Sequence, residues 1–498
     1  MKRFRFRGSF APSLFIALGL PGTASPQDTA ARTATIEERL AQIESRLGKL
    51  ESRLEAALAP AGSPVVTPGP GAEFAERLDA VDQKLRIVQR LRELEQERAL
   101  ADARQASRLT AGREGFQLVS ADGSYQLRFR GVMQFDARYF ANNDAGFNTS
   151  TFVLRRVRPI LEGTLGRYID YRIMPDFGQG QTVLQDLFLD VKFKPGAKIR
   201  AGKFKIPFGL EQLQSESDIL FVEKALPTLL VPNRDTGVQV SGDLWKGSLN
   251  YAVGVFNGAV DGGNLDIDDN NGKDFASRIF ARPFRNGKSA FLQNIGIGVA
   301  ATVGNRRGGL TSPGVASYRT SGMATFFRYR SDGTLTGTTL GRGTQYRVSP
   351  QTYYYAGPFG LMAEYVLSSQ DVRLSSNAAT LRNQSWQASA SYVLTGENAS
   401  YYGVVPRAAR EAGSGGWGAW EIAGRFSQLN MDGASFPLFA SPQASARRTR
   451  EWAAGVNWYV NRNVKFVLNF DRAFFDGGAG TGNRPPENGI LSRLQFVY

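Results

Sequence analysis

The stretch YQLRFRGVMQFDARY, residues 125–139, alternates two kinds of side chain along its whole length. Its odd positions are apolar or small, with tyrosine at both ends, whereas its even positions are mostly polar and include three arginines. Successive side chains of a β-strand point to opposite faces, so the pattern predicts a strand with one apolar face and one basic face. A soluble β-sandwich also buries an apolar face, so the repetition of this pattern has to decide between the two folds.

The alternating pattern recurs up to the carboxyl end of the chain. Runs lie near 151–165, 168–178, 183–193, 199–206, 236–244, 248–257, 274–282, 293–304, 344–356, 359–368, 384–395, 417–429, 450–460, 464–474 and 490–498. Several carry aromatic residues at their ends, as expected for girdles at the two interfaces of a membrane barrel. These pairs are Trp386 with Tyr392, Trp420 with Phe426, and Trp452 with Trp458.

The number of strands follows from their directions. Counting every run, with 317–330 included, gives 17, an odd number. If the amino end is periplasmic, the tight turn at 357–358 is periplasmic too, so strand 344–356 runs inward. Strand 293–304 runs outward, which excludes 317–330 as a separate crossing. That segment is therefore assigned to an external loop, 305–343. Unpaired strand edges are not tolerated in lipid. The sequence thus predicts an all-β fold, a sixteen-stranded antiparallel transmembrane β-barrel, preceded by an amino-terminal α-helical coiled coil.

Short and long linkers alternate between the runs, which is typical of a barrel with short inner turns and long outer loops. One polar linker, 207–235, has about 28 residues, a length that is usually functional. We expect it to fold into the lumen and to set what passes. The acidic linker 261–274 lacks complete EF-hand spacing, so we expect a solvated external loop there.

The first part of the chain differs in composition from the rest. Residues 1–25 have the basic head, short apolar core and small-residue site of a secretory signal peptide. Apolar residues then recur every three or four positions, which predicts a coiled coil over 26–59, a Pro/Gly linker over 60–72 and a second coiled-coil helix over 73–112. The barrel is expected to occupy 113–498.

Composition excludes several functions. The 498 residues include no cysteine and no histidine, which removes thiolate or imidazole metal sites and Ser-His-Asp catalysis. We expect no enzyme activity, no cofactor and no metal. A net charge of +15 would indicate nucleic acid in a cytosolic protein, but the export signal favours small anions or lipopolysaccharide phosphates and outer-membrane lipid as partners, and no nucleic acid.

Over about 116–498 the chain resembles the phosphate-selective porin O/P family. The similar segments are RRVRPILEGTLGRYIDYRIMPDFG (155–178), LFLDVKFKPGAKIRAGKFKIPFGLE (187–211), SDILFVEKALP (217–227), VSPQTYYYAGPFGLMAEYV (348–366), GAWEIAGRFSQLN (418–430) and AAGVNWYVNRNVKFVLNF (453–470). The resemblance implies a homotrimer in the outer membrane of a Gram-negative bacterium, with the coiled coil in the periplasm. It also implies passive diffusion of anions, plausibly phosphate or polyphosphate.

Alternation selects cationic side chains that point into the lumen, where they could bind anions. They are Arg128, Arg130 and Arg138, then Arg156 and Arg158, and further Arg172, Arg278, Arg282 and Arg425. Arg155 falls on the apolar face, so either it lies near the rim or a bulge in the second strand turns it inward. The Arg155-Arg156 pair resembles arginines that help line the constriction of the family. Lys203 and Lys205 point inward if a bulge at Gly202 shifts the phase. The alternative is ordinary solvation of the lumen, with carboxylates such as Asp136 and Glu162 as partners.

The loop contributes Ser215, Ser217 and Lys224 to the predicted anion path. Where family members have consecutive serines followed by lysine, this chain reads Ser215-Glu216-Ser217-Asp218. The two carboxylates would repel phosphate if they faced the pore. Two other hypotheses therefore stand beside an anion channel: a broad small-solute porin, and a structural tether that contacts the cell wall or periplasm through the coiled coil.

Overall fold

The computed structural model describes residues 70–112, 115–141, 147–266, 271–289, 291–411 and 415–498, together with residues 45, 46, 48, 49 and 52. The predicted signal peptide lies outside the described residues, as does most of the first coiled coil and of the Pro/Gly linker. The chain forms two compact units, Met1–Gln96 and Glu97–Tyr498. No described helix is both long enough and apolar enough to cross a membrane.

Helix α1 spans Pro70–Gln105. Apolar side chains recur along it every three or four residues and are about half exposed: Leu78, Val81, Leu85, Val88 and Leu91. A coiled coil buries such a row of side chains against partner helices. The structure describes a single chain, so this association, and with it the coiled coil, stays a prediction.

The expectation that this helix reaches residue 112 is wrong. Strands β1 (Arg108–Gly112) and β2 (Gly115–Val119) form an antiparallel hairpin instead. Gly112 and Gly115 flank the two-residue connection, and Gly115 has a φ of +92°. Glycine adopts positive φ at little cost, so this pair favours a tight turn over a further helical turn.

Sixteen strands form the closed wall of the second unit. In chain order the strands are β3 (Gln126–Ala141), β4 (Thr151–Leu165), β5 (Ile169–Asp176), β6 (Val183–Lys194), β7 (Ala197–Lys205), β8 (Arg234–Leu244), β9 (Leu249–Phe256), β10 (Asp274–Ala281), β11 (Ile295–Arg307), β12 (Tyr318–Arg319), β13 (Thr325–Phe327), β14 (Leu340–Ala356), β15 (Phe359–Leu374), β16 (Asn377–Val393), β17 (Ala419–Asn430), β18 (Ala446–Tyr459), β19 (Val464–Gly477) and β20 (Glu487–Val497). The short pair β12 and β13 forms a separate hairpin, β11 pairs with β14, and β20 pairs with β3. The predicted fold class and strand number are confirmed.

The alternation of the sequence appears as two faces of this wall. On β3 the outward side chains of Met133, Phe135 and Tyr139 are 43–58% exposed, whereas the inward Gln134 and Arg138 are at most 6% exposed. Apolar groups on the outside and buried polar groups on the inside reverse the arrangement of a soluble protein. This reversal is what a barrel in lipid requires.

The two ends of the barrel differ in their connections. At the terminal end, where β3 begins and the chain finishes at Tyr498, tight turns occur at 166–168, 195–196, 357–358 and 460–463. The opposite end, called the loop end here, carries the long connections 206–233, 257–273 and 308–339. The expected alternation holds with three exceptions: a tight turn at 375–376 at the loop end, and the long connections 282–294 and 394–418 at the terminal end.

Backbone hydrogen bonds join the last residue to the first barrel strand. The Tyr498 amide donates to the Gly131 carbonyl at 3.1 Å, and the Gly131 amide donates to the Tyr498 carbonyl at 2.9 Å. The terminal ring lies over Gly131, where a Cβ atom would be 2.3 Å from Cε1 of Tyr498. The absence of a side chain at 131 therefore lets the terminal ring cover the seam.

Gly131→Ala is expected to loosen this closure, because the Tyr498 ring must move to admit the methyl group. Overpacking of this kind costs about 1–3 kcal/mol. We expect a lower unfolding temperature in detergent, read from heat-dependent migration on gels. Gly424→Ala is the matched control, since a Cβ there meets no atom within 4 Å. Equal unfolding temperatures for the two variants would contradict the role of this contact.

Candidate functional site: a constriction built by loop 206–233

Loop 206–233 connects β7 with β8 and corresponds to the predicted loop 207–235. It contains a short helix α2 (Leu210–Leu213) and a 3-10 turn (Leu226–Leu230). Nine of its apolar side chains are at most 1% exposed, among them Phe208, Leu210, Leu226 and Leu230. Burial of this kind holds the loop in place by the hydrophobic effect, so the loop is a packed part of the barrel.

The inner wall holds the loop backbone along its length. Carbonyls of residues 216, 217, 219, 220 and 223 accept hydrogen bonds at 2.8–3.0 Å from Gln134, Gln495, Lys465, Asn457 and Arg425 in turn. These donors belong to the neighbouring strands β3, β20, β19, β18 and β17. The loop therefore follows this side of the wall and narrows the lumen from it.

Two glutamates of the loop are clamped by cations. Glu223 accepts from Arg155 at 2.6 Å and from Arg138 at 2.7 Å. Glu216 lies 2.8 Å from Arg156 and 2.7 Å from Lys224. On the sequence alone, Glu216 would repel phosphate if its carboxylate faced the pore unpaired. In the structure this side chain is buried and paired with Arg156 and Lys224.

The electrostatics of these loop groups follow from the pairs. Burial disfavours the charged form of Glu216, yet Arg156 and Lys224 outweigh it and hold the pKa of this carboxyl well below its usual range. Burial likewise opposes ionisation of Glu223, and Arg155 with Arg138 keeps its pKa well below the ordinary value. Burial lowers the pKa of Lys224 in spite of Glu216.

Arg155 reaches the site through a bulge. The β3–β4 register passes from Gln134 opposite Arg156 to Phe135 opposite Leu154, so Arg155 has no partner in the ladder. A bulge re-aims a side chain, and here it directs the guanidinium to Glu223 of the loop. The structure thus contains the bulge that the break in alternation indicated.

The other predicted cations of β3, β4 and β5 lie nearer the terminal end than Arg155. Arg158 pairs with Asp176 at 2.7 Å. Arg130 and Arg172 each lie 2.8 Å from Glu162, and Arg128 lies 3.9 Å from it.

Arg425 and Lys205 contact the loop directly. Arg425 lies 3.7 Å from Glu211 and packs over the Phe221 ring. Lys205 donates to the Gln214 carbonyl at 2.6 Å. Both side chains are therefore part of the constriction.

The predicted bulge at Gly202 is wrong. Strand β7 pairs with both neighbours through this residue without a register shift, although Gly202 has a φ of +127°. Lys203 pairs with Asp266 of the connection 257–273. The regular pairing leaves Lys203 away from the constriction.

Two further predicted arginines do not join the constriction either. Arg282 follows the end of β10 and donates to the Gly247 carbonyl at 2.8 Å in a turn of the terminal end. Arg278 points into the lumen, where it donates to Gln351 and lies 4.5 Å over the Phe280 ring. Ser215 and Ser217 hydrogen-bond to each other at 2.8 Å on the accessible side of the loop.

Two cavities meet at the loop. The outer cavity, about 650 Å³, has six cationic and five carboxylate residues in its lining. The inner cavity, about 570 Å³, has eight cationic and four carboxylate residues. Arg158, Glu216 and Arg234 line both cavities. A passage between the two therefore runs past two arginines and one paired carboxylate.

The cavity linings include cations that the sequence did not single out as sites: Lys198, Arg200, Arg234 and Arg319. Asn233 is typical of a turn, so the predicted loop included Arg234, whereas it is the first residue of β8. Arg200 stands in an alternating run, so its parity was a usable signal. Arg319 belongs to 308–339, and nothing in its local sequence shows that this segment enters the barrel.

Connection 308–339 folds inward. Its hairpin of β12 and β13 buries Tyr318, Phe326 and Phe327. Thr320 donates to Glu487 at 2.8 Å. The prediction that it is no separate crossing is confirmed, but it also lines the outer cavity.

Two further connections depart from expectation. The Tyr401 hydroxyl of 394–418 donates to the Leu210 carbonyl at 2.6 Å, so this connection supports the loop from the terminal end. The prediction of a solvated 261–274 is wrong at both ends of that stretch. Asp261 and Asp274 are buried and pair with Arg347 and Arg306 at 2.6 and 2.7 Å.

Comparison with known proteins agrees with the family resemblance. A family model, phosphate-selective porin O and P, matches residues 126–496. Porin O of Pseudomonas aeruginosa is 26% identical over 150 residues, which are 28% of this chain and 33% of that protein. The chain thus aligns with about a third of the length of this curated relative.

Solved porin-like structures give weaker similarity. The outer membrane channel DcaP of Acinetobacter baumannii matches with a TM-score of 0.49 and 10% identity over 75% of this chain and 98% of that one. The anion-selective porin from Comamonas acidovorans matches with a TM-score of 0.47 and 9% identity over 75% and 100%. Because the family model spans the whole closed wall and well over half of the sequence, the chain belongs to the phosphate-selective porin O and P family, which are outer-membrane β-barrels.

Proposed function

We propose that this barrel is a passive diffusion channel of the outer membrane that prefers anions, with loop 206–233 as its filter. The supporting observation is the pair of cavities that meet at Arg158, Glu216 and Arg234, with cations in excess on both sides. Clefts lined by one sign of charge concentrate the opposite ion. The long connections face the outside in this proposal, and the termini face the periplasm.

The distribution of charge suits transport better than tight binding. A cation attracts an anion by about 3 kcal/mol at roughly 6 Å and an effective dielectric of about 20. Glu216 and Glu223 offset part of the charge of the cations around them, so these cations form a shallow site that an ion can leave. Guanidinium groups keep donors free for phosphate-like anions after pairing with one carboxylate. We therefore place phosphate among the permeant anions.

The selectivity of the meeting point can be tested with Arg158→Glu. Reversal potentials in a KCl gradient should give a chloride-to-potassium permeability ratio above one for the unchanged protein. The variant should lower this ratio about fivefold to tenfold, because two units of charge change within a few ångströms of the path. Arg282→Glu makes the same charge change away from both cavities and should leave the ratio close to its original value. A cation preference of the unchanged protein would defeat the proposal.

Asp218 gives the channel a pH dependence. This residue lines the inner cavity, and burial raises the pKa of its carboxyl to about 6, although Ser217, Lys465, Lys205 and Arg130 oppose the shift. A raised pKa means that the carboxylate is charged above about pH 6 and neutral below it. Protonation removes a repulsive charge, so anion preference should increase as the pH falls.

We expect the permeability ratio to increase roughly twofold between about pH 7.5 and about pH 5, and Asp218→Asn should abolish this change. Glu216 and Glu223 stay ionised across this window because their pKa values lie well below the ordinary range. Conductance and reversal potential in planar bilayers at several pH values provide the measurement. An equal pH response in Asp218→Asn would assign it to another group.

A second role as a structural tether is supported by helix α1. Its row of half-exposed apolar side chains, from Leu78 to Leu91, is not covered by any other described residue of the chain. We propose that this helix and the preceding heptads associate in a homotrimer, lie in the periplasm and contact the cell wall or a periplasmic partner. This role is compatible with conduction.

Removal of 30–105 separates the two roles. The shortened protein should keep its single-channel conductance, because every residue of the constriction lies in the barrel. Cells that carry it should become more permeable to large antibiotics if the coiled coil tethers the envelope. Loss of conductance would show that the barrel depends on the helix, and unchanged permeability would remove the tether hypothesis.

A further inference from the structure

The outer face of the barrel carries a group of arginines near the loop end. Arg307, Arg342, Arg373 and Arg382, called the arginine patch here, are all exposed and lie on β11, β14, β15 and β16. Arg307 stands directly opposite Arg342 in the ladder. Arg373 is the ladder partner of Leu340, two residues before Arg342. The first three guanidinium groups therefore belong to adjacent positions on three adjacent strands.

Strand alternation places the patch outside the lumen. Arg306, the neighbour of Arg307, and Gln345, three residues after Arg342, point inward, are at most 3% exposed and hydrogen-bond to each other. The next outward pair below Arg307 and Arg342, Asn305 opposite Thr344, is polar, and the pair after it, Val303 opposite Tyr346, is apolar and aromatic. The patch thus continues the outer face of the wall.

The depth of the patch follows from the aromatic residues beneath it. Trp386 stands opposite Tyr365 on the outward face, and its ring lies 5.3 Å from that of Phe426. Aromatic girdles mark the membrane interface. Arg382 lies four residues before Trp386 on β16, toward the loop end, about 13 Å away at the rise of a strand. The patch therefore lies at the level of lipid head groups.

Among the described residues, the patch has none of the carboxylate partners that other arginines of this barrel have, such as Arg306 with Asp274. Like charges directly opposite each other in a sheet are destabilising, as with Arg307 and Arg342. The nearby carboxylate, Asp371, accepts hydrogen bonds from the Thr344 amide at 2.9 Å and the Thr380 hydroxyl at 2.6 Å. Within the described part of the chain, no carboxylate lies within 4 Å of the four guanidinium groups.

A second outward pair provides the contrast. Arg448 and Arg450 lie on the same outer face, on β18, and both approach Asp476, at 3.3 and 2.9 Å. An outward arginine of this barrel can therefore be neutralised within the chain. The arginine patch is positioned to be neutralised by something outside it.

We propose that the arginine patch binds the phosphate groups of a phosphorylated glycolipid of the outer leaflet, the chemistry of the lipid A part of lipopolysaccharide. Guanidinium groups match phosphate oxygens with paired donors and keep their charge at any physiological pH. Acyl chains of such a lipid would lie along the apolar face below, beside Val303 and Tyr346. This binding rests on the outward orientation of the loop end, and it is independent of which ions pass through the channel.

The test uses the full-length protein in detergent and counts bound lipid by native mass spectrometry. The probe is bisphosphorylated lipid A, compared with the same lipid after phosphate removal. We expect at least tenfold tighter binding of the bisphosphorylated lipid, and a similar loss in Arg307→Gln/Arg342→Gln. The Arg307→Lys/Arg342→Lys protein keeps the charge without the paired donors and should bind at an intermediate level. Arg450→Gln, in which Asp476 loses one of its two arginine partners, is the matched control and should bind as the unchanged protein does.

Each other outcome overturns the proposal. Equal binding of the dephosphorylated lipid would remove phosphate recognition, and unchanged binding by the glutamine variant would place the lipid elsewhere. Competition by inorganic phosphate at millimolar concentration would show a free-anion site in place of a lipid site. Dissociation of an oligomer with unchanged lipid binding would make the patch a protein interface.

Unaltered reversal potentials in the variant would verify folding and separate this result from the channel function.

Discussion

The structure depends on complete pairing of backbone hydrogen-bonding groups around a closed wall. In hydrocarbon, each unpaired amide or carbonyl costs several kcal/mol, so a sheet with an open edge could not remain in lipid. The β20–β3 ladder and the two hydrogen bonds between Tyr498 and Gly131 remove that edge. Closure then creates a second environment, an interior in which polar and charged side chains are shielded from lipid. The basic lumen is a consequence of this division.

Ion pairs between cations of the wall and carboxylates of the loop hold the loop in the lumen and form the constriction. Loop carboxylates are buried between wall guanidinium groups, as with Glu223 between Arg155 and Arg138. Removing water from such groups is costly unless each is paired, so the loop can lie in the lumen because the wall supplies its partners. The same pairs reduce the local positive charge. One set of contacts thus fixes the shape of the constriction and, in the proposed channel, limits how strongly it holds an anion.

The sequence predicted features that depend on local periodicity and failed where distant segments meet. Alternation gave the strands, their inward faces and even the bulge at Arg155, because each is encoded by neighbours in the chain. The pairing of Thr320 with Glu487, or of Tyr401 with Leu210, joins residues far apart in sequence and leaves no periodic trace. A turn-like Asn233 concealed Arg234, and Gly202 suggested a bulge although its positive φ is accommodated within a regular ladder.

Arginine illustrates why parity alone cannot assign a role. Arg306 and Arg307 are adjacent, yet the first is buried against Asp274 at 2.7 Å and the second is exposed on the outer face opposite another arginine. The residue type is the same, and the surroundings decide the chemistry. Inside the barrel a fixed carboxylate sets how much charge an ion in transit meets. On the outer face of β11 and β14 no described residue provides such a partner, and in our proposal the phosphate groups of a glycolipid supply the balancing charge. The two faces of one strand would then bind different anions, one mobile in water and one fixed to lipid.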